Sequence, residues 1–297
     1  MKPSRGEKVF DVFNLLLLTL FALACLYPFL NMVVLAFNSG SDSMRGGITI
    51  YPRAFTLANF AAILRDGTII SAYKVTVART LIGTLSSVMV TALVAYGLSD
   101  KRLPGRRGIM VYMLIPMFFS GGLIPYFLTL RALKLINNFW IFVLPGVFNI
   151  WNCIVMKTSF QGIPESLKES MRLDGAREFT IFMRIVVPVS LPMFAAISLF
   201  VAVGHWNDWF TGAFFIRRND LIPVQTYLQQ IMSRNLSSFL PNEGVIITGS
   251  ALFDYSKVNS TSMKMAAVVI GTAPILIVYP FLQKYFTKGV LIGSIKE

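Results

Sequence analysis

The chain has 297 residues, of which 55% are hydrophobic and only 14% are charged, yet its formal net charge is +13. With a mean hydropathy of +0.65, the composition excludes a soluble helical domain, because soluble helices carry a charged face beside each apolar stripe. The positive charge does not indicate nucleic-acid binding, because basic loops of a membrane protein set its topology and contact anionic lipids.

Six stretches of the chain contain no Asp, Glu, Lys or Arg, and each reaches or approaches the roughly 20 residues that an apolar helix needs to cross a bilayer. We expect helices rather than a β-barrel, because no stretch alternates as barrel strands do. The first stretch is too long for a cleaved signal peptide and is expected to be retained. The sequence predicts an all-α membrane protein, one transmembrane domain over residues 1–297, with spans near 12–37, 72–99, 108–130, 136–157, 185–212 and 263–285.

Basic residues in the short loops predict the orientation, because cytoplasmic loops carry an excess of Lys and Arg. The loop DKRLPGRRG at 100–108 is strongly basic, and so is the N-terminus, whereas the loop after the third span has only Arg131 and Lys134. Both termini and the 157–184 loop are therefore expected in the cytoplasm. The segments expected outside are 42–74 and 217–264.

The third predicted span carries helix breakers at its centre. Pro116, Gly121-Gly122 and Pro125 predict an interruption over 117–122. Such an interruption is tolerated at membrane depth where protein or a cavity satisfies the backbone, and close helix packing explains the glycines equally well.

Two clusters in the fourth and fifth spans, at 148–152 and 205–209, combine the groups that hold sugars. Aromatic faces stack on sugar C–H surfaces, and amides exchange hydrogen bonds with ring hydroxyls. Amides at membrane depth need partners and often face a polar cavity, whereas Trp209 is better explained as an interfacial anchor. The predicted substrate-path residues are Asn149, Trp151, Asn152, Trp206, Asn207 and Asp208.

Motifs for catalysis and nucleotide binding are missing from the sequence. GxxxxGK[ST], HExxH and GxSxG do not occur, and the single histidine, His205, excludes a multi-histidine metal site. Both cysteines lie within spans and indicate neither a disulfide nor a metal site. Ion-coupled carriers need ionisable groups at membrane depth, but Lys74, Arg79 and Asp208 lie near span edges, where the two cations can snorkel to the interface.

The segment 161–184 is densely charged, and its pattern predicts a helix, a turn and a second helix. Pro164 suits the first position of the first helix, where its missing N–H costs nothing. Ile163, Leu167 and Met171 recur every four residues and form one apolar stripe, with charged residues around it. On the charge pattern alone, an ordinary solvated helix pair explains the segment as well.

The turn of this segment is expected at Asp174-Gly175, because glycine tolerates turn geometry and aspartate can cap the helix that follows. That second helix is expected over 176–184. Pro188 and Pro192 are expected to kink the entry of the fifth span.

The spacing of Glu169, Gly175 and Pro188 in ESMRLDGAREFTIFMRIVVP resembles the EAA loop of ABC importer permeases. Ser170-Met171 replaces the two alanines of that loop, which is a conservative change. FFSGGLIPYF, LPGVFNIWNCIVMKTSF, VGHWNDWFTGAFFI and FTKGVLIGSIKE extend the resemblance over nearly the whole chain. They are similar to the carbohydrate-uptake branch, in particular to its MalG-like and LplC-like oligosaccharide permeases.

This resemblance implies a type I ABC importer permease fold, in which the loop is a coupling helix that docks into a cleft on an ATP-binding subunit. Glu169 would pair there with a basic residue, and Gly175 would set the bend. The positions that the resemblance assigns to ATPase coupling are Glu169, Asp174, Gly175, Ala176, Leu167, Met171 and Arg177, with Lys288, Gly289 and Gly293 of the tail as lesser candidates.

The same resemblance implies the partners and the location. They are a second permease subunit, two ATP-binding subunits that hold ATP and Mg²⁺, an external sugar-binding protein and the bacterial cytoplasmic membrane. No cofactor is expected in this chain, and the chain itself is not expected to be an enzyme. The alternatives are an ion-coupled sugar carrier acting alone and a membrane enzyme, for which no catalytic constellation is present. The basic outer segments favour an acidic oligosaccharide as solute.

Overall fold

The computed structural model describes residues 4–65, 67–233 and 258–294, with side chains through Ile277. Regular structure in these ranges is helical, apart from one isolated bridge between Asn38 and Phe55. The helices are α1 (Arg5–Ala36), α2 (Gly40–Ser43), α3 (Ala58–Arg65), α4 (Thr68–Ser99), α5 (Arg106–Phe118), α6 (Leu123–Ala132), α7 (Ile150–Gln161), α8 (Glu165–Leu173), α9 (Glu178–Ile181), α10 (Val187–Val189), α11 (Leu191–Asn207), α12 (Phe210–Phe215), α13 (Val224–Ser233) and α14 (Ser260–Ser294). Short 3₁₀ turns occur at Phe139–Phe142, Leu144–Gly146 and Asn219–Leu221, and a π-helical turn at Phe182–Val186.

Three stretches of helix in the described ranges are long and apolar enough to cross a membrane: Gly6–Ala36, Thr68–Ser99 and Ser260–Ile277. Three further pairs of helical stretches, each bent at a short break, are also long and apolar enough when each pair is taken as one span. They are Arg106–Phe118 with Leu123–Ala132, Phe139–Gly146 with Ile150–Gln161, and Glu178–Val189 with Leu191–Asn207. With each bent pair counted as one span, the described residues contain six candidate spans, the same number as the charge-free stretches of the sequence.

Two of the bends lie where the sequence predicts them. α5 and α6 meet at 114°, and the chain between them passes through Gly122, whose φ of +85° is accessible mainly to glycine. Helices α10 and α11 belong to the pair that bends by 85°, and Ser190 joins them between Pro188 and Pro192. Both interruptions follow from proline and glycine chemistry.

The fourth span differs from its prediction. A helix was expected over 136–157, but the first half consists of 3₁₀ turns, and α7 begins only at Ile150. Asn149 explains the late start, because its side chain accepts a hydrogen bond from the backbone N–H of Asn152 at 2.9 Å and so caps a new helix. Pro145 within the preceding turn also lacks the donor that a continuous helix needs.

The chain divides into two compact units. Unit 1 contains Met1–Ile69 and Leu228–Pro274, and unit 2 contains Ile70–Tyr227 and Ile275–Glu297. In unit 1, the buried Asn59 side chain donates to the carbonyl oxygens of Ala36 and Asn38, both at 2.9 Å, and so fixes the loop that follows α1. None of the most apolar window of α1 is buried by the rest of the chain, which leaves its surface for lipid or another protein.

Unit 2 has an aromatic and aliphatic core at the predicted cytoplasmic side. The rings of Phe160 and Phe194 stack with centroids 5.9 Å apart, and Phe182 packs edge-on against Phe160. These residues lie on α7, on α11 and in the π-helical turn, so the core joins the segment 161–184 to the spans on either side of it.

Candidate functional site

The segment 161–184 forms a helix, a turn and a second helix, as its pattern predicts, with three local corrections. Pro164 precedes α8 as its N-cap and is not its first residue. Asp174 closes α8 and does not cap the next helix, whose N-cap is Arg177. The second helix accordingly begins at Glu178, two residues later than expected.

Gly175 makes the turn possible. Its φ of +77° lies in the left-handed region, where a side chain is strained. The turn is closed on both sides of it, because the N–H of Gly175 donates to the carbonyl oxygen of Arg172 at 3.0 Å and the N–H of Ala176 to that of Met171 at 2.9 Å. The chain therefore reverses within a few residues, and α8 ends sharply.

The buried face of α8 is charged, which corrects the predicted apolar stripe. Lys168 is only 5% exposed, whereas Leu167 of the predicted stripe is 44% exposed. Lys168 is paired with Glu165 at 3.3 Å, and Arg172 reaches Glu165 at 2.9 Å. Paired charges are tolerated in such a position because each has a partner, so the polarity of a residue on this helix does not tell which way it points.

An ion-pair network fixes this face of α8 to the neighbouring helices. Arg172 donates to Glu178 of α9 at 2.7 Å and lies 3.7 Å from Asp100 at the end of α4. Tyr96 of α4 donates its hydroxyl to the same Glu178 at 2.5 Å. We call this set the anchoring network; its members are Tyr96, Asp100, Arg102, Glu165, Lys168, Arg172 and Glu178.

The charges of the anchoring network hold one another in the ionised form. Hydrogen bonding by Arg102 lowers the pKa of Asp100 to about 2, and hydrogen bonding by Arg172 lowers the pKa of Glu165. Glu178 in turn raises the pKa of Arg172 through its hydrogen bond. The network consequently stays charged throughout the physiological pH range.

The opposite face of the segment is open and mixed in character. Leu173 is 88% exposed and Phe179 is 61% exposed. Glu169 is exposed and makes no hydrogen bond or ion pair with another described residue, although Glu165, one helical turn earlier, makes several. A cleft of about 420 Å³ opens beside it, lined by residues from the end of α4 and from 161–169. A free carboxylate next to exposed apolar side chains is suited to contact with another protein.

The seven predicted coupling residues are thus only partly on one surface. Leu167, Glu169, Asp174, Gly175 and Arg177 are exposed, whereas Met171 and Ala176 are half-buried. Sequence reasoning missed Leu173 and Phe179. Leu173 follows Glu169 by four residues and so shares its helix face, which is the signal that could have identified it. The side chains of Lys288, Gly289 and Gly293 lie outside the described residues.

The predicted substrate-path residues of the fourth span lie at the start of α7. The side-chain amide oxygen of Asn149 caps α7 as described above, and the backbone N–H of Asn149 donates to the hydroxyl of Thr91 of α4 at 3.4 Å. Trp151 is 61% exposed and Asn152 is half-buried. Of the three, Asn149 therefore has a structural role that its sequence context does not reveal, and Trp151 is free to contact a solute or another subunit.

Asp208 of the fifth span is engaged by Arg79. Their side chains approach to 3.4 Å, and Arg79 also donates to the backbone carbonyl oxygens of His205 and Asp208. The other carboxylate oxygen of Asp208 accepts from the N–H of Thr211 at 3.0 Å. We call this pairing the clasp. It ties α4 to the C-terminal end of α11, where orphan carbonyls need donors.

The clasp overturns the expectation that Arg79 snorkels to the interface. Its side chain is fully buried, and its guanidinium lies 5.0 Å from the centre of the Phe142 ring. The Asp208 carboxylate is thus already paired with Arg79 and with the N–H of Thr211, and its place on the substrate path stays a prediction. The nearby His205 ring is packed against Gly83, where an added Cβ would lie 2.5 Å from Nε2.

The remaining residues of the fifth span differ in accessibility. Asn207 is exposed, whereas Trp206 is half-buried, with its ring 6.3 Å from that of Tyr73. His205 also approaches Gly146 in the turn that precedes α7. The structure thereby brings the two clusters towards each other, and the exposed residues among the predicted substrate-path residues are Asn149, Trp151 and Asn207.

Comparison with known proteins identifies close relatives of this chain. Residues 104–292 match the family described as binding-protein-dependent transport system inner membrane component. The polygalacturonan/rhamnogalacturonan transport system permease protein YtcP of Bacillus subtilis (strain 168) is 37% identical over 98% of this chain and 99% of its own length. Protein LplC of the same organism is 34% identical over 100% of this chain and 98% of its own.

A solved structure has the same fold. It is a chain of a bacterial ABC transporter involved in the import of the acidic polysaccharide alginate. The TM-score is 0.85 at 29% sequence identity, and the likeness covers 96% of this chain and 99% of the other. The fold of the chain is therefore that of a type I ABC importer permease.

Proposed function

The chain belongs to the family of binding-protein-dependent transport system inner membrane components, and from this premise we propose how it works as the membrane-spanning subunit of an oligosaccharide importer. It is a membrane protein of the sugar-transport branch of that family. In our proposal, a separate ATPase drives it through the segment 161–184. The observation that carries the proposal is that one face of this segment is held by ion pairs and the other is exposed.

The outer face of the segment is the proposed docking surface. Glu169, Leu173 and Phe179 are exposed together, and Glu169 has no partner among the described residues. An apolar anchor beside a charge that is free to pair is the composition of an interface core. An ATPase subunit that offers a cleft with a basic residue would complement it.

The inner face would transmit the movement. The anchoring network ties α8 to the end of α4 through Asp100 and to α9 through Glu178. Rigid-body displacement of a docked helix is a common form of conformational coupling. When ATP closes the partner, a shift of α8 would therefore move the second and fifth spans together.

We infer an acidic oligosaccharide as solute. The relative YtcP is named for polygalacturonan and rhamnogalacturonan transport, and the structural neighbour belongs to an importer of alginate. The chain itself has 27 basic against 14 acidic residues, and basic surfaces raise the local concentration of anions. Trp151 at the start of α7 and Asn207 at the end of α11, which are both exposed, are the proposed contacts along the path.

The proposed assembly contains a second permease subunit, two ATP-binding subunits with ATP and Mg²⁺, and an external sugar-binding protein. The family description, which is that of an inner membrane component, supports a location in that membrane, and the basic loops support cytoplasmic termini. The unburied surface of α1 is available to lipid and to the second permease. No cofactor is proposed for this chain itself.

Co-purification tests this function. The full chain, expressed together with its candidate second permease and ATPase, should co-isolate with the ATPase. In liposomes, a sugar-loaded binding protein should then stimulate ATP hydrolysis. Uptake of sugar by this chain alone, driven by an ion gradient, would contradict the proposal and favour a secondary carrier.

A further inference from the structure

A second cavity in unit 2 shares no lining residue with the segment 161–184 or with the clasp. Its volume is about 550 Å³, within the range of small-molecule sites. It lies where α6 and α12 end, on the side that the topology places outside the cell. Its walls are formed by Phe127, Arg131, Ile136, Asn137, Phe214, Phe215 and Arg217.

The cavity presents two available cations. Arg131 comes from the end of α6 and Arg217 from the loop after α12, and both are exposed. Neither guanidinium makes a hydrogen bond or ion pair with another described residue. Arg218, the next residue, is in contrast paired with Asp220 at 2.5 Å. Arg131 and Arg217, which line the cavity, are thus available to an incoming anion, whereas Arg218 is not.

The backbone that carries these cations is held in place. Asn137 has a φ of +61°, a conformation that asparagine tolerates better than most residues. Its N–H donates to the carbonyl oxygen of Phe215 at 2.9 Å, and its side-chain oxygen accepts from the N–H groups of Arg217 and Arg218, both at 3.0 Å. The loop of Arg217 is therefore fixed against the turn that follows Arg131, and little backbone ordering is required when a ligand binds.

Aromatic rings complete the wall. Phe214 is 54% exposed and stacks on Phe210 with centroids 4.3 Å apart. Phe127 stacks on the buried Phe215 at 6.2 Å. Flat rings offer surfaces for the C–H faces of a sugar, and guanidinium groups bind carboxylates in a bidentate manner. The combination is specific to a sugar that carries an acid.

We propose that this cavity is an entry site for uronate residues, in which Arg131 and Arg217 bind the carboxylates of an acidic oligosaccharide before it passes between the spans. The proposal rests on the function proposed above and adds to it a place where acidic and neutral sugars are told apart. A carboxylate of the sugar-binding protein would be a different occupant, and the experiment below separates the two.

The test uses the complete importer in liposomes with saturating wild-type binding protein. The probes are a galacturonate trisaccharide and its methyl ester, which has the same shape but no charge. Arg131→Gln with Arg217→Gln should lower uptake of the acid on the order of 10-fold, as expected for the loss of two charge-assisted contacts at an exposed site. Uptake of the methyl ester should stay unchanged.

Two further variants serve as controls. Arg45→Gln removes one positive charge from the predicted outer loop after α1, which contributes no residue to the wall of the cavity, and should leave the preference for acid intact. Arg131→Lys with Arg217→Lys keeps the positive charge and should retain most of the preference for the acid. Basal ATP hydrolysis and yield of the assembled complex should be equal in all variants, because both arginines are exposed.

Either of two results would overturn the proposal. An equal fall for acid and ester would show that the cavity contacts the binding protein, and unchanged uptake of both would show that it has no role in uptake. If the wild-type importer transports neither probe, the proposed function is at fault, and that result is seen before any variant is made.

Discussion

The segment 161–184 and the clasp contain the same kinds of residue and use them in opposite ways. In the segment, one carboxylate, Glu169, is left without a partner at an exposed surface. In the clasp, the carboxylate of Asp208 is paired with Arg79 and accepts a hydrogen bond from the N–H of Thr211. The available partner, and not the residue type, therefore decides whether an ionisable group is free to bind another molecule.

Breaking the clasp should have the largest effect on stability. Arg79→Gln would leave the half-buried Asp208 carboxylate and two helix-end carbonyls without their donor, and leaving such groups without a partner costs about 1–3 kcal/mol. The variant should therefore unfold at a markedly lower temperature in detergent. Lys74→Gln, one turn earlier on the same helix, is the control and should have a small effect.

The clasp prediction has a second arm. Combining Arg79→Gln with Asp208→Asn removes the uncompensated charge and should recover part of the lost stability, as measured by a double-mutant cycle. If Arg79→Gln alone is as stable as the wild type, the pair of Arg79 and Asp208 does not hold α4 to α11. The contrast between a structural carboxylate in the clasp and a free one in the segment 161–184 is then wrong.

Reversing the free carboxylate should affect function with little effect on folding. Glu169→Lys keeps the anchoring network intact but would place a like charge against a basic residue of the ATPase, at a cost on the order of 2–5 kcal/mol in binding. ATP hydrolysis stimulated by the loaded binding protein should be lost, while membrane insertion is retained. Asp11→Lys, with the same charge change near the predicted cytoplasmic end of α1, is the matched control. Normal transport by Glu169→Lys would disprove the assignment.

Removing the apolar anchors should give an intermediate effect. Leu173→Ser creates no cavity within the chain, because the leucine side chain is 88% exposed. The unfolding temperature of the variant should therefore equal that of the wild type. Loss of a buried leucine from the proposed interface should weaken ATPase binding by about 1.5–3 kcal/mol. Pull-down of the ATPase over a concentration series measures this. Leu133→Ser at the predicted outer end of α6 is equally apolar and 63% exposed, and it should bind the ATPase normally.

The apolar helices and the turn at Gly175 could be predicted from the sequence because both depend on local chemistry. Long charge-free stretches have few alternatives to a membrane helix, and Gly175 with its φ of +77° has few alternatives to a turn. The predicted buried face of α8 was wrong because the side that is buried is charged. Lys168 there pairs with Glu165, and Arg172 pairs with Asp100 and Glu178, whose positions beside α8 the sequence does not show. The snorkelling expectation for Arg79 failed for the same reason, since its partner Asp208 is distant in sequence.

The smallest effect is expected from pH, and it sharpens the same comparison. Hydrogen bonding by Arg102 lowers the pKa of Asp100 from 3.8 to about 2, so between these values the folded state binds fewer protons than the unfolded state. The stabilisation is fully present above about pH 4 and is lost as the pH falls through about 2. The difference in Tm between the wild type and Asp100→Asn should therefore be constant from about pH 8 to 5 and shrink below about pH 4. A difference that already changes between about pH 8 and 5 would mean that a group with a higher pKa controls the anchoring network, and that its charges are not held by one another.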